Sequence, residues 1–156
     1  MRREIILDAK EKPKFNTIYE AINYVTGREY AGWMKACWPA VYGADYTNFR
    51  MWFPKLSKIV GGKYTSVFNC VNTISENGDE ITFDYLGKPW DPDMPQYRGY
   101  DLIFAKEPDN GPYIFRGLFV YDDQKADPKR NHCVSKRIAT KVKVTGNPGY
   151  TVEIIE

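Results

Sequence analysis

Four tryptophans (Trp33, Trp38, Trp52, Trp90) and two arginines in apolar surroundings, Arg50 and Arg116, are the side chains of this 156-residue sequence best suited to hold a flat ligand with a polar edge. In Arg50-Met-Trp-Phe-Pro54 an extended backbone would set the guanidinium and the Trp52 indole on one face. Such a pair grips a nucleobase by stacking and by hydrogen bonds to its edge. Core packing is the competing reading for Trp33, Trp38 and Trp52. Trp90 differs, because it lies in a proline-punctuated acidic loop, Lys88-Pro-Trp-Asp-Pro-Asp-Met-Pro95, where a ligand lid is the natural role. Arg116 interrupts an apolar stretch, so it must be paired, with Asp101 for instance, or must line a site, since an unpaired buried charge is costly.

A second group suits phosphate. Lys129, Arg130, Lys136 and Arg137 offer cations and Ser135 a hydroxyl within nine residues. The formal charge of +2 hides this clustering. Residues 46–75 hold four basic side chains and no acid, 76–95 six acids and one Lys, and 125–144 seven basic residues and one acid. Basic residues interleaved with aromatics are the footprint of nucleic-acid binding.

Enzyme motifs are largely missing. There is no G-x-G-x-x-G, no P-loop and no G-x-S-x-G. One histidine excludes a His-rich metal site or a two-histidine relay. His132-Cys133 are neighbours, but consecutive strand side chains point apart. Asp79, Glu80, Asp84, Asp91 and Asp93 offer carboxylates without a recognised metal-binding spacing. The three cysteines, at 37, 70 and 133, form no paired framework and read as reduced thiols. No catalytic residue, cofactor or metal is therefore assigned, and the chain leans away from being an enzyme.

The elements that must position these residues begin with a strand at 2–7. Thr17-x-x-Glu20 is a capping box ahead of Ile18, Ala21, Ile22 and Val25 at helical spacing, with Gly27 as the stop, which predicts a helix over 17–26. A second short helix is expected over 30–38, closed by Pro39. The rest reads as strands: 63–75 and 80–85 around Asn77-Gly78, 100–106 and 113–121 around Pro108-Asp-Asn-Gly111, then 141–144 and 150–155. A helical turn is expected near 135–139. In 113–121, Phe115, Gly117, Phe119 and Tyr121 should share one face and Ile114, Arg116, Leu118 and Val120 the other, as in a central strand. The length fits one domain over 1–156. No run approaches the ~20 apolar residues of a membrane span, and a cytoplasmic protein is expected. The fold class is α+β, with N-terminal helices packed on a curved antiparallel sheet or small barrel.

Tyr113-Ile-Phe-Arg-Gly-Leu-Phe-Val-Tyr121, followed by Ser135-Lys-Arg-Ile-Ala139, resembles the small PUA-like β-barrel modules. These include the SRA and EVE/YTH-type readers attached to modification-dependent restriction enzymes. The likeness covers about the last 60 residues. It implies a prokaryotic defence or restriction setting and a domain that takes a flipped or modified base into an aromatic cage and grips the flanking phosphates. The expected partner is nucleic acid, DNA before RNA, with a separate nuclease or host protein beside it. Two other classes stay open: a protein-interaction or inhibitor domain from a phage or mobile element, and a hydrolase or nuclease using the acidic segment or Cys133.

Overall fold

The computed structural model describes residues 3–32, 36–38, 49–88, 99–146 and 150–156. In chain order the elements are β1 (Arg3–Asp8), β2 (Lys14–Phe15), α1 (Ile18–Thr26), β3 (Cys37–Trp38), β4 (Arg50–Trp52), β5 (Ile59–Val60), β6 (Lys63–Tyr64), β7 (Cys70–Ile74), β8 (Glu80–Tyr85), β9 (Tyr100–Lys106), β10 (Tyr113–Tyr121), β11 (His132–Ala139), β12 (Lys141–Gly146) and β13 (Tyr150–Ile154). Short 3-10 turns at Ala9–Glu11 and Pro128–Arg130 precede β2 and β11.

α1 starts where the Thr17 hydroxyl accepts the Glu20 amide and the Glu20 carboxylate accepts the Asn16 amide. It ends at Gly27, whose φ of 69° is left-handed. Ala21, Ile22 and Val25 turn its buried stripe inward. α1 is the one α-helix among the described residues, so the expected pair of N-terminal helices is not found. Where a second helix over 30–38 was expected, the chain enters β3 at Cys37. The helical turn expected near 135–139 is part of β11, whose backbone pairs with β10 and β8. No helix among the described residues is long and apolar enough to cross a membrane.

The large sheet runs β3-β4-β9-β10-β11-β8-β7, with β2 added to β10; a smaller one runs β1-β12-β13. The large sheet is open rather than a closed barrel, since its terminal strands β3 and β7 are not joined. One pairing is parallel: β4 lies along β9 with Arg50 opposite Asp101 and Trp52 opposite Ile103. β9 is buried on both faces. Leu102 and Phe104 join α1 and the small sheet in one core with Leu7, Phe53 and Phe115; Ile103 and Ala105 face a second core with Leu56, Ile81 and Phe119.

The face assignment along β10 changes partway. Pairing shifts against β9 between Phe115 and Gly117, and against β11 between Leu118 and Phe119. On β10 the extra residue is Arg116, which reverses which side chains face which way beyond it, while the second shift inserts Ile138 on β11 and leaves the alternation of β10 unchanged. Phe115 therefore sits in the first core and Phe119 in the second, not on one face as strict alternation predicts.

Candidate base-binding cleft

A cleft of about 470 Å³ opens between β4, β7, β8 and the start of α1. Trp52 and Phe83 form one wall, ring to ring at 6.1 Å and 63°. They meet because β4 and β8 each turn an aromatic toward the second-core side, where Trp52 packs beside Ile103 and Phe119. Phe68 forms the rim. It stands at the tip of a two-residue turn between Val67 and Cys70, whose amides and carbonyls bond each other. Phe68 and Asn69 both have positive φ, 50° and 60°. A primed turn of this kind asks for Gly or Asn, and an aromatic held there is strained by ~1 kcal/mol or more. The turn holds Phe68 82% exposed, with Lys55 Nζ 4.9 Å from the ring centre.

Asn72 lines the same cleft and is 5% exposed. Its Nδ2 donates to the Lys55 carbonyl at 2.9 Å, its backbone amide donates to Ser57 Oγ, and its carbonyl accepts the Ser57 amide. Its Oδ1 is buried with no hydrogen-bond donor among the described residues. A buried acceptor left unmet costs ~1–3 kcal/mol, recovered when a ligand supplies an N–H or O–H. Lys55 and Lys106 line the cleft. Lys58 is paired with Asp109, and Lys106 donates to the Gly111 carbonyl.

The expected site residues are dispersed. Trp52 lines the cleft. Trp33 and Trp90, and Asp91 and Asp93 with them, lie outside the described residues. Trp38 is on the other face, opposite Met51 in the β3–β4 pair, edge-on to Tyr30 at 6.1 Å and beneath Arg28. Arg50 shares a strand with Trp52, but its Nε and Nη2 hold both carboxylate oxygens of Asp101 at 2.8 and 3.1 Å. Arg116 pairs with Glu107 at 2.5 Å rather than with Asp101, which Arg50 has taken.

The basic segment is divided as well. Ser135 is 8% exposed between β8 and β10, too buried to reach a phosphate. Arg137 is tied to Asp79 at 2.7 Å and to the carbonyls of Asn77 and Arg116. Arg130 lies 3.5 Å from Asp127, and Lys129 and Lys136 are exposed. The acidic and basic runs are neighbours that offset each other through Asp79–Arg137 and Glu80–Lys125, and the Asp84 carboxylate lies against the His132 ring. His132 thus has a carboxylate partner, while Cys133 follows it on β11 and points the other way. Among the described residues no three His, Cys, Asp or Glu side chains converge. Sequence reasoning missed Phe68, Asn72 and Phe83. The acid-free 46–75 stretch marks the neighbourhood of Phe68 and Asn72 but neither residue by itself, and Phe83 carries no signal.

The family model described as the "SET and RING associated domain" (SRA) matches residues 2–144. No curated protein sequence matches the chain. Among solved structures the chain is similar to "The 5-Hydroxymethylcytosine-Specific Restriction Enzyme AbaSI", with a TM-score of 0.62 and 23% identity over 92% of this chain. It spans 44% of that enzyme's chain, less than half of its length.

Proposed function

We propose, from the premise that this chain belongs to the SET and RING associated (SRA) family, that it is a DNA-binding module that reads a modified base in a restriction setting, with the Trp52–Phe83 cleft as its base pocket. The observation that carries the pocket assignment is the orphaned Oδ1 of Asn72 inside an aromatic-walled cleft. An acceptor there is met by the exocyclic N4 amine of cytosine or by a hydroxyl on a modified base, and by no atom of thymine's methyl edge. Trp52, Phe83 and Phe68 supply the ring faces that replace the stacking lost when a base leaves the duplex. The structural relative is named for 5-hydroxymethylcytosine, which makes that base the first to test here. In this reading the module supplies recognition, and cleavage belongs to a nuclease that accompanies it.

Fluorescence anisotropy with labelled duplexes carrying one cytosine, 5-methylcytosine or 5-hydroxymethylcytosine tests the reading. The wild type is expected to prefer a modified duplex, and Asn72→Ala to bind that duplex about tenfold or more weakly, the worth of one buried hydrogen bond. Trp52→Ala is expected to weaken modified-duplex binding by ~1–3 kcal/mol. Equal affinity of wild type and Asn72→Ala for the modified duplex would remove Asn72 from the pocket.

A further inference from the structure

We infer that a second cleft, of about 360 Å³, holds a backbone phosphate of the DNA whose base enters the first. This rests on the DNA-reading function above and adds to it a contact that carries no base information. The cleft lies between the 3-10 turn at Ala9–Glu11, the tip of the β7–β8 hairpin, β10 and β11. Four cationic side chains from three parts of the chain line it: Lys10 and Lys12 from one turn, Arg116 and Arg137. Glu76 is the one acid in the lining among the described residues.

Two features point to an anion rather than to a solvated face. Arg116 Nε is buried and has no acceptor among the described residues, although Nη2 of the same guanidinium bonds Glu107 and the Ala105 carbonyl. A guanidinium fork with one tine filled and one empty is arranged for a second oxygen. Lys12 is exposed, and no ion pair engages it among the described residues; its backbone is left-handed at φ 51° and held by its amide to the Ala9 carbonyl. The acids that do pair with the lining cations stand outside the lining, and Asp79 and Glu156 keep side-chain exposures of 60% and 57%. An arriving phosphate takes the place of an exposed carboxylate at Lys10 and Arg137, and the cost of desolvating it is shared with the hydrated Lys12.

The two clefts are neighbours. Asn72 lines the first and Ile74 the second, on the same face of β7 and two residues apart. That is roughly 6.6 Å of strand rise, about two base steps of ~3.4 Å along one DNA strand. A strand whose base occupies the first cleft therefore passes the second within a step or two.

The test measures anisotropy from 50 to 300 mM salt with modified and unmodified duplexes, on wild type, Lys12→Gln, Lys10→Gln/Lys12→Gln and Arg116→Lys. The lysines are exposed, so Lys12→Gln is expected to fold as the wild type does by circular dichroism. It should bind both duplexes equally more weakly, by roughly three- to tenfold at 100 mM, and lower the log-log salt slope by about 1. Arg116→Lys keeps the charge but loses the fork, and should weaken both duplexes alike with the slope kept. An unchanged slope in both lysine variants overturns the inference, and a loss confined to the modified duplex overturns it equally. Salt-dependent binding with no preference for modification would sink the base reading while a reduced slope still upheld the phosphate site. No DNA binding by the wild type would overturn both.

Discussion

Arg50 and Asp101 show how a residue suited to ligand binding is claimed by the fold. Their side chains are 14% and 7% exposed, and the two-toothed contact locks β4 alongside β9. Burial pushes the Asp101 carboxyl above its ordinary value, with the Arg50 hydrogen bond and charge pulling it back. Asp101→Asn is expected to remove the buried carboxylate that faces the guanidinium and to cost about 3–5 kcal/mol in urea unfolding. Arg50→Met with Asp101→Leu is expected to recover most of that loss. Beside this pair, burial pushes the Cys37 thiol up to about 11. Its folded value exceeds its unfolded one, so the folded state holds the proton longer. The stability this brings is present below about pH 9 and is lost as pH rises from about 9 through about 11. Cys37→Ala should flatten that part of a plot of Tm against pH, and iodoacetamide at pH 8 should spare Cys37 until urea is added.

At the scale of elements, β10 depends on Gly117. Its φ is 126°, and a Cβ there would lie 2.6 Å from the Ala139 carbonyl oxygen and 2.6 Å from Arg137 Cδ. The first contact is backbone and cannot yield, so Gly117→Ala is expected to cost about 2 kcal/mol or more of stability, read as a lower Tm. The β5–β6 hairpin behaves in the opposite way. Ile59, Val60 and Tyr64 are 59%, 57% and 53% exposed, and the hairpin rises from the segment that carries Lys55 and Phe68 at the cleft. Apolar side chains set out in water beside cations suit contact with a DNA groove. Ile59→Ser with Val60→Ser is therefore expected to leave Tm within about 1 °C and to weaken duplex binding several-fold, measured by the same anisotropy titration.

Over the whole molecule, charge divides the basic run at 125–144: Lys125, Arg130 and Arg137 pair with acids, while Lys129 and Lys136 stay exposed. β8 and β11 lie side by side, so the acidic segment neutralises much of it. The acid-free stretch 46–75 instead supplies cations at the cleft and its hairpin. With few phosphates contacted, the log-log salt slope of duplex binding is expected near −2 to −4. A slope near zero would mean that these lysines face no phosphate.

Local signals in the sequence were enough for α1, from its cap to Gly27, for the Asn77-Gly78 hairpin, and for strands β8, β9 and β10 almost to the residue. Each of these depends on neighbours within a few positions, which a sequence displays directly. The β-rich character was legible on the same grounds, while the PUA-like likeness came from the resemblance of 113–121 and 135–139; of the architectures expected, an open sheet is found and the pair of N-terminal helices is not. The pocket was not legible in this way. Trp38 and Trp52 read alike, yet the Cys37–Trp52 and Trp38–Met51 pairings send them to opposite faces. Arg50 looked available until β9 brought Asp101 to it across 51 positions of sequence. Asn72 and Phe83 carried no signal, because a missing hydrogen-bond donor and a ring at 6.1 Å exist only once distant strands are paired. Composition and spacing thus determined α1 and the strands of the main hairpins, while strand register, a long-range property, decided which side chains line the proposed cleft.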